Sequence, residues 1–69
     1  MNEKELQAAK AGAERVAREG DAETRAGFVC YINIFITYNK EQYYNTGNER
    51  NKLNYEQGQE IYKHYLKML

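Results

Sequence analysis

Hydrophobic positions fall into three segments along this chain, each with its own spacing. Before residue 27 they are small and well separated. Between Phe28 and Tyr38 the chain reads F-V-C-Y-I-N-I-F-I-T-Y, interrupted only by Asn33 and Thr37. From about residue 54 onward, tyrosines and leucines recur among charged side chains. Any fold of this sequence begins by covering the central run.

That run fits two periods. Read as a strand, Phe28, Cys30, Ile32, Ile34, Ile36 and Tyr38 line one face, and the β-branched and aromatic content suits a strand. Read as a helix, Ala26, Cys30, Asn33, Thr37 and Lys40 recur at alternating four- and three-residue steps. They form one narrow polar stripe on an otherwise apolar cylinder. The flanks favour the helix. Asp21 is a good N-cap, helix formers follow it, and the next firm breaker is Asn45-Thr46-Gly47-Asn48. No second segment has the β character that a paired strand needs. The spacing therefore predicts a long helix over residues 21–46, with Gly27 its weak point at a cost of about 1 kcal/mol relative to Ala. The competing arrangement is an α+β fold with a strand at residues 28–38 paired across a dimer.

Residues 2–19 form a first predicted helix. Asn2 and Glu5 fit a capping box, Gly20 is placed to stop the helix, and Glu14 and Arg18 are spaced for an i,i+4 pair. Its apolar stripe (Leu6, Ala9, Ala13, Val16, Ala17) is narrow and made of small side chains, suited to lying closely against a larger aromatic surface. The Asn-rich stretch 45–54 is expected to be a loop. A third helix is expected from Asn54 to Leu69, with Asn54 and Gln57 as a second capping box. On it Tyr55, Tyr62, Tyr65, Leu66 and Leu69 share one face, while Glu56, Glu60, Lys63, His64 and Lys67 share the other.

The predicted fold class is all-α, a single small helical domain over residues 1–69. A small-residue N-terminal helix covers a long antiparallel helical hairpin. The middle of the second helix is apolar on almost every side, and two other helices of this length cannot surround it. A second copy of the chain could. The expectation is a homo-oligomer with Phe28, Ile32, Phe35 and Ile36 in the subunit interface.

Composition narrows the function classes. At 69 residues the chain is near the size at which one core is only marginally sufficient. Ten basic and ten acidic residues leave no formal net charge, which argues against a general nucleic-acid or anionic-membrane binder. The single cysteine precludes an internal disulfide and a Cys-based zinc site. The central run is shorter than the ~20 apolar residues of a membrane helix. With no signal peptide apparent, the cytoplasm is the expected compartment. All the alanines precede residue 27 and all the aromatics follow it. Such a shift arises from an Ala-rich helix joined to an aromatic core, or from a mosaic gene of the kind phages and mobile elements carry.

Catalytic chemistry finds no foothold. There is no serine, Cys30 lies within the apolar run and is expected to be buried and inert, and His64 lies on a charged face. Glu60 and His64 share a helix face, yet two ligands do not define a metal site, and the glycines are scattered rather than gathered in a phosphate loop. No enzyme activity, cofactor or metal is expected. Tyrosines beside basic residues can stack planar anions. On that ground Tyr43, Tyr44, Arg50 and Lys52 are candidate binding residues; on the third helix, where tyrosines and lysines fall on opposite faces, the outer charged face adds Lys63, His64 and Lys67 as candidates. The functional expectation is a small non-enzymatic interaction protein, a cytoplasmic regulator or inhibitor of an unidentified protein partner. The alternative is an oligomer that sequesters a nucleotide or similar anion between subunits.

Overall fold

The computed structural model describes residues 1–69 and contains three helices and no strand: α1 (Glu3–Glu19), α2 (Ala22–Thr46) and α3 (Glu49–Lys67). Residues 28–38 are helical throughout. At each start an Asx side chain caps the first turn. Asn2 accepts from the Glu5 N–H at 2.8 Å while Glu5 accepts from the Asn2 N–H at 2.9 Å, a complete capping box. Asp21 accepts from the Thr24 N–H at 2.8 Å. That bond holds the Asp21 carboxyl below its ordinary 3.8, because it is made to the charged form.

Tight approach, rather than conformational freedom, explains the glycine between α1 and α2. Gly20 is in extended backbone, and its N–H donates to the Val16 carbonyl at 2.9 Å. A Cβ added there would stand 2.5 Å from that same oxygen. The guanidinium of Arg25 donates to the Ala17 carbonyl, satisfying an end of α1 that has no helical partner.

The loop expected over residues 45–54 reduces to Gly47 and Asn48. Gly47 adopts the left-handed conformation at φ 71 and donates to Tyr43 at 2.7 Å, and Asn48 caps α3 by accepting from Arg50 at 2.9 Å. The third helix thus begins at Glu49, and the box expected at Asn54 and Gln57 lies inside it. The asparagines that looked like loop residues are tertiary partners instead. Asn39 is buried at 4 % exposure, and its Oδ1 accepts from Asn51 at 2.9 Å and Asn54 at 3.3 Å. Its own amide donates to the Phe35 carbonyl at 2.9 Å. One fully paired polar cluster joins α2 to α3.

The core comprises Leu6, Ala13 and Ala17 from α1, Ile32 from α2, and Ile61 and Tyr65 from α3. Phe28 stacks on Tyr65 with ring centroids 4.8 Å apart. Phe35 and Ile36 press on Gly58, where an added Cβ would meet Ile36 at 2.8 Å and Phe35 at 3.0 Å. The inward face of α3 is therefore Gly58, Ile61 and Tyr65. Leu66 and Leu69, expected on that face, are exposed: Leu66 lies off the row that Ile61 and Tyr65 define, and Leu69 lies past Lys67, the last residue of α3.

Helix α1 packs chiefly on α3 and touches α2 less. Lys10 pairs with Glu60 at 2.9 Å, and Glu14 approaches His64 Nδ1 at 3.5 Å rather than pairing with Arg18. Gln57 bridges to Met1, donating to its carbonyl at 3.0 Å and accepting from its ammonium at 3.2 Å. By docking onto α3, α1 leaves one long side of α2 uncovered.

Candidate functional site

The uncovered side of α2 carries three large apolar side chains that are more than half exposed; Tyr44, Leu53 and Leu69 are the others exposed to that extent. At about 100° per residue, Gly27, Tyr31, Ile34 and Tyr38 lie along one stripe. Tyr31 is 68 % exposed, Ile34 63 % and Tyr38 59 %. Between Arg25 and Lys40 the helix has no charged residue, so the stripe is uninterrupted over about four turns. The four residues expected at a subunit interface turn the other way. Ile32 is in the chain's own core, and Phe28, Phe35 and Ile36 are half-buried against it. The unpartnered apolar surface belongs to their neighbours.

Cys30 is exposed, not buried. It lies on the stripe with Ala26, Asn33 and Thr37, all of which face outward. The period that made those residues a polar stripe placed the cysteine with them, and its apolar sequence neighbours concealed this.

Beside Tyr31 the surface opens into an apolar groove of about 340 Å³ between α1 and α2. Ala9, Gly12 and Val16 form one wall and Phe28, Tyr31 and Phe35 the other. The groove exists because the α1 residues are too small to fill the space beside the phenylalanines. Gly12 has nothing within 4 Å of where its Cβ would be, and the same is true of Gly27 on α2. Two mid-helix glycines thus face open space, in contrast to Gly58. A second, more polar hollow runs along Asn33, Ile34, Thr37, Tyr38 and Glu41.

The aromatic residues near the α2–α3 turn form a separate cluster. Tyr43 lies 5.9 Å from Tyr44 and 6.1 Å from Tyr55, centroid to centroid. Lys52 stands over the Tyr43 ring at 5.8 Å and Lys40 over the Tyr55 ring at 6.0 Å. The Tyr55 hydroxyl is pushed above its ordinary 10.0, first by desolvation and then by Tyr44 and Glu56. None of the three surface hollows includes this cluster.

The candidate binding residues are therefore divided. Tyr43, Tyr44 and Lys52 come together near the turn, with Arg50 exposed on the first turn of α3. Lys63, His64 and Lys67 are at the opposite end of α3, and His64 faces Glu14 of α1. No three His, Cys, Asp or Glu side chains gather where they could hold a metal ion. No helix is long and apolar enough to cross a membrane. Sequence reasoning missed Tyr31, Ile34 and Gly27 as a unit. The signal was present in their three- and four-residue spacing, but it merged into a run that is apolar on nearly every side. Compared with protein-family models, curated proteins and solved structures, the chain matches none.

Proposed function

We propose that the protein is a small non-enzymatic interaction protein whose working surface is the outer face of α2 and the groove beside it. It acts as a cytoplasmic regulator or inhibitor by occupying the surface of a protein partner. The observation that carries this reading is the uncharged stripe of Tyr31, Ile34 and Tyr38, each more than half exposed, in a chain with so small a core. These three side chains offer about 350 Å² of surface. At about 25 cal/mol per Å² of its apolar part, covering it supplies up to roughly 9 kcal/mol toward association. That is comparable to the translational and rotational cost of binding, so the face supports a complex once flanking contacts are added. Large exposed apolar patches on small proteins commonly mark such sites.

The test is photo-crosslinking inside cells, with a benzophenone side chain at position 31 and, as control, at position 63 on the exposed charged face of α3. Protein adducts at position 31 and none at position 63 are expected. An absence of adducts at 31, or equal adducts at both, would contradict the reading.

A second reading rests on Lys40 and Lys52 standing over tyrosine rings near the α2–α3 turn. Flat rings with adjacent positive charge suit a nucleotide-like anion held between subunits. Its test is the ultraviolet absorbance ratio of the purified protein, which co-purified nucleotide would raise above that of tyrosine alone.

A further inference from the structure

We infer that the outer face of α2 pairs with the same face of a second copy, antiparallel across a two-fold axis, with the Tyr38 ring of each copy resting on the open backbone of Gly27 in the other. The inference rests on the working surface proposed above and gives that surface a second copy as its occupant in the free protein.

Gly27 supplies the first argument. A glycine inside a helix is unfavourable relative to alanine, and it persists where something approaches closely. Gly58 has such a reason within the chain, since Phe35 and Ile36 fill the space. Nothing in the chain fills the space at Gly27. A bulky, exposed side chain on the same stripe does so if it comes from another molecule. Tyr38 lies three turns along that stripe and is 59 % exposed.

Antiparallel pairing that places position 27 opposite 38 also places 31 opposite 34. Tyr31 of each copy then packs on Ile34 of the other, so the three exposed apolar side chains of the stripe are covered at once. An isologous contact of this kind uses one patch twice, as two-fold dimers do. Two copies of the stripe offer about 700 Å², so flanking residues must supply the rest of the roughly 1,000 Å² at which a specific interface begins.

Charge sets the second argument. Helix α2 has no charge between Arg25 and Lys40, so self-pairing of the stripe buries no ion. The one like-charge approach is at its edges, where Glu41 comes alongside Glu23 of the second copy. Both glutamates are exposed, and solvent and salt screen them. An unrelated partner would be expected to complement those glutamates with positive charge, whereas self-pairing predicts that reversing one of them tightens the complex.

Light scattering on the purified chain of 8.1 kDa tests this, at concentrations up to about 100 μM. The expected result is twice the chain mass for the parent protein and the single mass for both Gly27→Leu and Ile34→Asp, each with unchanged helical circular dichroism. Gly27→Leu combined with Tyr38→Ala should regain the dimer, because the new side chain then occupies the place of the ring. Glu41→Lys should lower the dissociation constant several-fold at low salt. A parent that is a monomer at the highest concentration overturns the inference, and crosslinks from position 31 to a different protein would then leave the proposed function intact. A parent dimer that Gly27→Leu leaves unchanged also overturns it, since the helices would then meet in another register. If Ile34→Asp leaves assembly unchanged and crosslinks from position 31 are absent as well, the working surface itself is refuted.

Discussion

The two long faces of α2 are almost equally apolar and end in opposite environments. The inner one carries Phe28, Ile32, Phe35 and Ile36 into the packing with α1 and α3. The outer one leaves Tyr31, Ile34 and Tyr38 in water. Hydrophobicity along the sequence does not distinguish them. The distinction comes from the covering helices: α1 is built of small residues, docks on α3, and does not reach around α2. An apolar side chain is buried by what lies opposite it, and no helix of this chain lies opposite the outer face of α2.

The sharpest way to break the comparison is to place a charge on each face. Ile32→Asp puts an unpaired carboxylate at a position 3 % exposed. Its cost of at least about 3–5 kcal/mol is a large part of the stability of so small a domain, and helical circular dichroism should be lost. A large-to-small change sharpens the same contrast on α3. Tyr65→Ala should cost about 3 kcal/mol, as the ring is 4 % exposed and stacks on Phe28, while Leu66→Ala next to it should change thermal stability by no more than about 0.5 kcal/mol.

Much of the architecture was legible before the structure. The all-α class, three helices, the caps at Asn2 and Asp21, and the stop at Gly47 follow from local chemistry that acts within four residues. What was not legible depended on contacts distant in sequence. Asn51 read as a loop residue and Asn54 as the cap opening the third helix, because asparagine favours turns and caps, and only their amides' reach to Asn39 on another helix shows why both lie inside α3. Cys30 was assigned inward by its apolar neighbours although the helical period placed it on the outward stripe, and Leu66 was assigned to the face of Tyr65, from which it lies one residue around the helix. Of the candidate binding residues, Tyr43, Tyr44 and Lys52 do meet, whereas Lys63, His64 and Lys67 sit at the far end of α3.

Smaller effects test the polar and glycine positions. Asn39→Ala strands the amides of Asn51 and Asn54 in a part-buried site and should cost about 1–3 kcal/mol by chemical denaturation. The glycines should respond in opposite directions. Gly58→Ala crowds Phe35 and Ile36 and should destabilise by about 1–3 kcal/mol. Gly27→Ala should stabilise the monomer by up to about 1 kcal/mol, measured at dilutions where association does not contribute. The smallest effect is at the α2 N-cap. Because folding lowers the Asp21 pKa, its contribution is present above the ordinary carboxylate range and is lost as pH falls through 3.8 and below. Asp21→Asn keeps a capping oxygen without the titration, so its melting temperature should fall slightly less on acidification than that of the parent.

The central claim is that α2 has one face for the fold and another for a partner, and Ile34→Asp measures it most directly. The substitution is made on the outer face, in the middle of the exposed stripe, where Ile34 is 63 % exposed. Thermal unfolding by circular dichroism should show a dilute variant as helical as the parent, melting within about 3 °C of it, the shift expected for a surface change. Its association, read by light scattering and by crosslinks from position 31, should be lost. A variant that unfolds, or one that associates as the parent does, would contradict the division of α2 into two faces.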